Sequence, residues 1–402
     1  MPGFPPYTPA MTDVAYLDHA ATTPVRPEVR AAMEPFLTEV YGNPSGVHSV
    51  ARRAKTALEE AREEIAAALG CLPGEVVVTG GGSEADNLAV IGGARMAARA
   101  GLPRRVVVSA IEHKAVSEAA HRLEPEGVAV RIVGVGSDGI VDLDDLAAAL
   151  AEPVALVSVM LVNNEVGTIQ PLAEIADLVR TRSPGARLHT DAVQSVQWLD
   201  VATAAAPADL VSVSGHKFGG PKGVGALVVR SGTEVEPQLV GGGQERGLRS
   251  GTVDVAAAVG LATALRVTTA QRAAEVARIA VLRDRLAAGL AAIGGVVPSG
   301  DRSRAVAGNH HVRIEGVPAE LLLVALDHEG VCAAAGSSCA SGALEPSPVL
   351  AAMGMDRDAA REAVRFSLGY ASTDADVDRA LAVLPRVVAQ LRGADLASTA
   401  SG

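Results

Sequence analysis

The sequence has few cysteines, no long hydrophobic run and no excess of basic residues, and each absence excludes a class of protein. Its three cysteines, Cys71, Cys332 and Cys339, lack zinc-type spacing and an even count, so we expect no disulfide framework. Although 49% of the 402 residues are hydrophobic, no run approaches the length of a membrane span. The net charge of -11 argues against general binding to nucleic acid. These absences favour a globular protein of a reducing compartment.

The first ten residues, MPGFPPYTPA, lack the basic region and the apolar core of a signal peptide. We therefore expect a cytoplasmic protein. The segment MTDVAYLDHAATTP is typical of a natural beginning, so the sequence leaves open whether translation starts at Met1 or Met11.

Short apolar runs alternate with alanine-rich segments of helical periodicity, which is the pattern of α/β proteins. The pattern predicts a mostly parallel sheet flanked by helices, with helices at 84–100 and 172–182 among the connections. The predicted strands are 75–79, 105–109, 154–162, 186–190, 209–214 and 225–229.

The C-terminal part predicts a smaller α+β domain. Residues 271–293 form a long helical pattern with one apolar face, and a strand around His311 and a helix at 318–326 follow. We place a large domain at 27–266 and a small domain at 267–402, joined by an N-terminal segment at 1–26. His310 and His311 are adjacent in a predicted strand and point to opposite faces, so we expect no metal site there.

Polar or glycine-rich clusters follow five of the predicted strands. Because the carboxyl ends of parallel strands meet at one edge of a sheet, the clusters are expected to converge on a single pocket. In chain order they are GGGSEADN after residue 79, AIEHK after 109, NNEVG after 162, DAVQ after 190 and GHK after 214.

The first cluster predicts a seat for an anion such as phosphate. Its three glycines allow close approach of the backbone, and Ser83 and Asp86 have the spacing of a capping box at a helix start. The cluster has neither the GK[ST] ending of a Walker A loop nor a GxGxxG pattern, which counts against a nucleotide-binding module. A plain tight turn with a helix cap is the alternative.

The last cluster contains Lys217, and a lysine between two strands is usually a solvated loop residue. However, a lysine in a pocket with a phosphate site and a strand-end carboxylate is typical of pyridoxal phosphate enzymes. Lys217 could attach to the cofactor aldehyde, and Asp191 could hold the ring nitrogen protonated. His113 could stack on the ring and exchange protons, because its unperturbed pKa of about 6.5 lies near neutral pH; a structural histidine is the alternative.

Motifs between residues 16 and 370 resemble those of cysteine desulfurases of the NifS/IscS type, in the class V aminotransferase group of fold-type I pyridoxal phosphate enzymes. The resemblance therefore covers nearly the whole chain. The matching motifs are YLDHAATTP, YGNPSGVHS, TGGGSEADN, EHKAV, NNEVGTIQP, HTDAVQS, SGHKFGGPKGVGAL, GGGQERGLRSGT, GSSCASGALEPS and RFSLG.

The resemblance implies a role for each matching residue. It makes Lys217 the lysine that carries the cofactor, Asp191 the partner of the ring nitrogen and His113 the stacking histidine. Gln194 and Asn164 would neighbour the ring hydroxyl, and Arg365 with Asn164 would hold the substrate carboxylate. The implied phosphate ligands are Gly82, Ser83, Ser214 and His216, with Thr252 reaching the cofactor of a partner subunit in a homodimer.

The implied reaction removes sulfur from L-cysteine, gives L-alanine and leaves a persulfide on Cys339 for a sulfur-acceptor protein. The thiol of Cys339 must be deprotonated to attack, and His113 is the base that the family suggests. Cys332 is predicted to be buried and inert. A selenocysteine lyase, or an aminotransferase or other class V lyase that needs no thiol, is the rival interpretation; the acceptor pathway is left open.

Overall fold

The computed structural model describes residues 14–335 and 347–399. Cys339 and both candidate start residues, Met1 and Met11, lie outside the described residues. The strands are β1 (Ala15–Tyr16), β2 (Val76–Thr79), β3 (Arg105–Ser109), β4 (Ala129–Val133), β5 (Leu156–Ser158), β6 (Arg187–Asp191), β7 (Leu210–Ser214), β8 (Gly225–Val229), β9 (Val296–Pro298), β10 (Asn309–Ile314), β11 (Val331–Cys332), β12 (Ala334–Ala335) and β13 (Ala363–Ser367).

Helices cover the strands and connect most of them. They are α1 (Pro27–Thr38), α2 (Ser49–Leu69), α3 (Gly82–Asn87), α4 (Gly93–Arg99), α5 (Lys114–His121), α6 (Leu143–Ala149), α7 (Leu172–Arg182), α8 (Val201–Ala204), α9 (Val255–Ala291), α10 (Ala319–His328), α11 (Pro348–Ala352), α12 (Arg357–Ala360) and α13 (Asp374–Thr399). Within the described ranges, no helix is long and apolar enough to cross a membrane.

A seven-stranded sheet forms the centre of the fold, with strand order β2-β8-β7-β6-β5-β3-β4. Strand β8 is antiparallel to both neighbours, whereas the other pairs are parallel. Both faces of a parallel sheet are covered, which explains why β2, β3, β7 and β8 are buried and rich in valine and leucine. The predicted α/β architecture with a mostly parallel sheet is confirmed.

The predicted helix at 84–100 is wrong in its start and in its continuity. Helix α3 begins at Gly82, a π-helical turn follows at Leu88–Gly92, and α4 continues from Gly93. The π turn leaves Gly92 against a neighbouring loop, where a Cβ would lie 2.6 Å from the carbonyl oxygen of Glu236. The widened turn therefore occurs where the backbone packs too closely for a side chain.

The predicted small α+β unit is built on an antiparallel sheet of order β12-β13-β10-β9. Its core contains Ile279, Leu286, Val312 and Phe366, together with apolar residues of α10 and α13. The N-terminal strand β1 pairs in parallel with β11, so the start of the described chain packs with this small α+β unit. Helix α13 also continues well into the C-terminal tail, as far as Thr399.

Helix α9 is longer than the pattern at 271–293 predicted. Its first half is buried on nearly all sides against α1 and α2, and its second half buries one face that includes Ile279, Leu282 and Leu286. The proposed domain boundary at 266/267 falls within this continuous helix, and the division into two domains stays a prediction.

Candidate active site

A cavity of about 320 Å³ lies at the carboxyl edge of the central sheet. It receives residues that follow β2, β3, β5, β6 and β7, as well as Ala20 and Ala21 from the N-terminal segment and Arg365 from β13. The convergence that the strand-end clusters predicted is therefore observed. The predicted site residues that line it are Gly82, Ser83, His113, Asn164, Asp191, Gln194, Ser214, His216, Lys217 and Arg365.

Lys217 ends a 3₁₀ turn that follows β7 directly. Its Nζ donates hydrogen bonds to the carbonyl oxygens of Ala20 (2.7 Å) and Ala21 (2.9 Å). The tight return of the chain requires Gly219, which has φ +88° and would place a Cβ 2.5 Å from Cγ of Arg26. Lys217 is half-buried and lines the cavity, unlike the exposed Lys222 further along the connection to β8, so the solvated-loop alternative does not describe it.

Asp191 is the last residue of β6 and is buried. Its Oδ1 accepts a hydrogen bond from the backbone N–H of Val193 at 2.8 Å. Burial raises the pKa of Asp191, whereas the nearby His113 and Lys217 and the Val193 hydrogen bond oppose that rise. A cation placed beside Asp191 would complete the stabilisation of its charged form.

His113 caps the start of helix α5 with its side chain. Its Nδ1 accepts a hydrogen bond from the backbone N–H of Ala115 at 3.1 Å. Since a backbone N–H can only donate, the neutral ring carries its proton on Nε2. Burial lowers the pKa of His113, Asp191 raises it, and Lys217 and Lys114 lower it further.

The glycine-rich cluster forms a narrow part of the cavity wall. A Cβ on Gly82 would lie 2.8 Å from Cγ2 of Val193 and 3.3 Å from Cβ of Ser214, so the backbone approaches its neighbours where a side chain would not fit. The predicted capping box is wrong: α3 begins after Gly81 with no side-chain cap, and Asp86 is buried beneath the cavity instead. Ser83 lines the cavity.

Arg365 is buried in β13 and lines the same cavity. Its Nη1 donates to the carbonyl oxygen of Asn164 at 2.7 Å, and its Nη2 pairs with Oδ1 of Asp18 at 2.7 Å. Among the described residues Nε has no hydrogen-bond partner although it is buried. An unpartnered donor on a buried guanidinium is suited to an incoming carboxylate.

Among the described residues, one predicted residue is not in this cavity. Thr252 is exposed and does not line it, and Cys339 lies outside the described residues. Of the other thiols, Cys332 is half-buried rather than buried, and burial is the main cause that raises its pKa. Burial likewise raises the pKa of Cys71 to about 11, which disfavours the reactive thiolate.

Sequence reasoning missed a buried layer beneath the cavity, formed by Asp86, Glu112 and His189. Glu112 accepts from Oγ of Ser109 at 2.6 Å and from the backbone N–H of Met160 at 2.8 Å, and burial raises its pKa to about 8. The signal was present: each of the three residues lies in a motif at a strand end, within three residues of a predicted site residue.

The chain matches the family model "Aminotransferase class-V" over residues 15–380. It is 46% identical to an IscS-like cysteine desulfurase of Mycobacterium tuberculosis, over 96% of this chain and 99% of that protein. It is 41% identical to the cysteine desulfurase IscS of Dictyoglomus turgidum, over 94% and 95% of the two chains. A solved NifS-like protein superposes with TM-score 0.87 and 33% identity, covering 94% of this chain and 99% of that one.

The chain therefore belongs to the class V aminotransferase family and, within it, to the cysteine desulfurases of the IscS and NifS type. The predicted resemblance is confirmed. Enzymes of this family use pyridoxal phosphate, and the cavity fits that group: it combines a lysine amine, a buried carboxylate, a histidine and a glycine-lined wall that a side chain would fill.

Proposed function

We propose that this protein is a pyridoxal phosphate-dependent cysteine desulfurase that takes sulfur from L-cysteine and passes it on through Cys339. The observation that carries the proposal is the single cavity that brings together Lys217, Asp191, His113 and the buried Arg365. A solved structure of SspA in complex with cysteine, 32% identical over 88% of this chain with TM-score 0.76, supports the choice of substrate.

Several residues of the cavity are assigned to the cofactor. Lys217 would bind its aldehyde covalently, Asp191 would pair with its ring nitrogen, and Gln194 and Asn164 would neighbour its hydroxyl. The phosphate would be held by Gly82, Ser83, Ser214 and His216. When bound, the group supplies an electron sink for the carbanion left by removal of the substrate's α-proton.

Lys217 is assigned two successive roles. Its amine holds the cofactor until the substrate amine replaces it, and Nζ then takes the α-proton of the substrate. The carbonyl oxygens of Ala20 and Ala21 provide hydrogen-bond acceptors for the displaced amine, at the 2.7 and 2.9 Å distances given above. These acceptors would hold the amine beside the cavity instead of releasing it to solvent.

His113 is assigned the role of proton donor first. Because Nδ1 is occupied by the Ala115 amide, the neutral ring can give a proton from Nε2 but cannot accept one there until that proton has left. The family suggests His113 as the base for Cys339, and in this geometry it can act so only after it has donated. Its lowered pKa keeps the ring neutral at the start of the cycle.

Arg365 is assigned to the substrate carboxylate. Its buried guanidinium is held at Nη1 by the carbonyl oxygen of Asn164, which fixes its plane, and Nε is unpartnered among the described residues. A carboxylate bound at adjacent guanidinium nitrogens would orient the substrate relative to Lys217. L-Cysteine supplies the carboxylate, amine and thiol that this arrangement requires.

We further propose a cytoplasmic homodimer that delivers sulfur to an acceptor protein. Large apolar side chains at Tyr41, Val47 and Val240 are strongly exposed, as expected of surfaces that a second copy covers. The exposed Thr252 would then reach the cofactor phosphate of the partner subunit.

The decisive experiment follows the sulfur. Incubated with L-cysteine without reductant, the protein should gain the mass of one sulfur on the peptide GSSCASG, and dithiothreitol should remove it. Cys339→Ser should still bind cofactor but form no alanine at a useful rate, because a hydroxyl attacks sulfur poorly. The controls Cys71→Ser and Cys332→Ser should retain both activities.

Two results would contradict the proposal: alanine formed by Cys339→Ser at the wild-type rate, or the added sulfur on Cys332. A lyase that needs no thiol would then fit better. Comparing release of sulfide from L-cysteine with release of selenide from L-selenocysteine separates the desulfurase from a selenocysteine lyase.

A further inference from the structure

The carboxylate of Asp18 already occupies part of the guanidinium of Arg365. It pairs with Nη2 at 2.7 Å, while Nε is buried without a partner among the described residues. Nε and Nη2 are adjacent nitrogens that one carboxylate can bind with its two oxygens. A substrate carboxylate arriving from the cavity therefore meets a carboxylate of the protein at one of these two positions.

The side chains of Arg365 and Asp18 differ in their access to solvent, and therefore in the free-energy cost of breaking the ion pair. Only 1% of the Arg365 side chain is exposed, so it must exchange one anion for another, because an unpaired buried charge is strongly unfavourable. The Asp18 side chain is 19% exposed and can turn towards water. When the ion pair breaks, Asp18 is therefore the member that leaves, and Arg365 stays in place to bind another anion.

Asp18 also begins the turn that holds the Lys217 amine. The carbonyl oxygen of Asp18 accepts from the backbone N–H of Ala21 at 3.1 Å, and the hydroxyl of Tyr16 donates to the carbonyl oxygens of Asp18 and Thr22. Ala20 and Ala21, which accept from Nζ of Lys217, are the second and third residues after Asp18. The guanidinium and the amine are therefore linked through one short turn.

We propose that Asp18 is a positioning residue that competes with the substrate carboxylate for Arg365, and that its displacement loosens the turn at 18–22 that holds the Lys217 amine. The inference rests on the proposed function for the identity of the substrate. The carboxylate of the substrate thereby gains a second role, because its binding not only orients the molecule but also alters the hydrogen-bond acceptors offered to Lys217.

The first test measures carboxylate affinity in the loaded full-length protein. The probe is propionate, which has neither an amine nor a thiol and so cannot react, and propionamide is its uncharged match. Asp18→Asn should bind propionate about fivefold more tightly than wild type, since an amide competes for Arg365 more weakly than a carboxylate. Affinity for propionamide should not change.

Asp18→Glu, which keeps the charge, should stay within about twofold of wild type. Asp378→Asn is the matched control, because it removes the carboxylate of an exposed pair with Arg285. If Asp18 only orients Arg365, Asp18→Asn should bind propionate more weakly. If Asp18→Asn binds propionate as tightly as the wild type or more weakly, the inference is overturned.

The second test measures backbone amide hydrogen exchange of residues 16–23 and needs no catalysis. Saturating propionate should raise exchange of these amides in the wild type severalfold, whereas propionamide should not. Asp18→Asn should show the raised exchange without ligand and no further rise with it. No change in the wild type with propionate overturns the inference, even if Asp18→Asn fails to fold.

These outcomes are separable from those of the sulfur experiment. A protein that behaves as expected towards propionate but forms no persulfide on Cys339 refutes the proposed function alone. If the wild type forms the persulfide but Asp18→Asn binds propionate more weakly than the wild type, only the role of Asp18 is refuted.

Discussion

His189 and Asp86 face each other beneath the candidate active site, with Nε2 of His189 3.6 Å from Oδ1 of Asp86. Both side chains are buried, and burial lowers the pKa of His189 to about 3, so the ring is neutral. Its two nitrogens lie at hydrogen-bond distance from Oγ of Ser158 (2.8 Å) and Oγ of Ser212 (3.0 Å). Burial and the nearby Asp191 raise the pKa of Asp86 well above its usual range.

This buried layer and the neighbouring Asp191 bring three acidic side chains close together. The raised pKa values of Asp86 and Glu112 favour their neutral acids. Asp191 also has a raised pKa, but His113 and Lys217 oppose the rise, and it has a backbone hydrogen bond. Of these three acids, Asp191 is therefore the one best suited to ionise beside a cationic ring nitrogen.

The first prediction concerns Glu112 and the pH dependence of stability. Its pKa of about 8 in the folded protein exceeds the unfolded value of about 4.3, so its neutral form stabilises the fold at low pH. That contribution is complete below about pH 4 and is lost as the pH rises towards 8. Glu112→Gln cannot ionise and should become more stable than wild type as the pH rises, by roughly 2–4 kcal/mol between pH 5 and 8.

Denaturant unfolding at pH 5, 6.5 and 8 measures this difference. Glu60→Gln, at an exposed position of α2, is the control and should keep a constant difference from wild type. A constant difference for Glu112→Gln as well would mean that Glu112 is already ionised in the folded protein throughout this range.

The second prediction concerns Asp191. Asp191→Asn should slow removal of the substrate's α-proton by about a hundredfold, because an amide does not hold the ring nitrogen protonated. The measurement is exchange of the α-hydrogen of L-alanine with deuterium from solvent, followed by NMR at equal cofactor content. Asp209→Asn is the matched control, since Asp209 precedes β7 and accepts a hydrogen bond from the backbone N–H of Leu188, near the start of β6 and away from Asp191 at its end. Equal exchange rates in the two variants would remove Asp191 from the mechanism.

The strand ends could be predicted from the sequence because their pattern is local. Lys217, Asp191 and His113 each lie at or just after the end of a predicted strand, and parallel strands bring such positions together. Other features had no local pattern. The acceptors of Lys217 are backbone carbonyls of Ala20 and Ala21, and a carbonyl is common to all residues. The first half of α9 is buried all round, so it lacks the amphipathic period that marks the second half.

Asp86 shows why spacing alone can mislead. Asp86 lies three positions after Ser83, which suits a capping box, but this spacing also places it one turn further along the helix, facing the sheet. Tertiary packing decided between the two, because Asp86 is buried and lies beside His189 of the sheet. Whether Asp86 caps the helix or is buried therefore depends on β6 and β7, which are more than 100 residues away in the chain.

The third prediction concerns the pair of Arg62 and Glu245. Both side chains are buried, and they form two hydrogen bonds of 2.9 and 2.8 Å, while Glu245 also accepts from the backbone N–H of Val78. The pair attaches the segment that carries Thr252 to α2 and β2. Glu245→Gln should lower the free energy of unfolding by about 3 kcal/mol, because it leaves Arg62 as a buried charge without its partner.

Glu64→Gln provides the comparison, since Glu64 pairs with Arg266 on the surface and should cost less than about 1 kcal/mol. Both variants are measured by denaturant unfolding at pH 7. Equal losses would show that burial of the Arg62 pair adds nothing to its contribution.

The last prediction concerns Lys217 and distinguishes it from Lys222, the other lysine between β7 and β8. If Lys217 carries the cofactor, borohydride should fix a pyridoxyl group on the peptide SGHKFGG, because reduction makes a reversible attachment to an amine permanent. Lys222 lies five residues further on but is exposed and does not line the cavity, so it serves as the internal control. Lys217→Ala should give no label, whereas Lys222→Ala should give the wild-type amount, both determined by peptide mass. Absorbance of the bound cofactor before reduction verifies that each variant was loaded. A label on Lys222 in the wild type would contradict the assignment, because the covalent attachment would then lie outside the cavity that contains Asp191, His113 and Arg365.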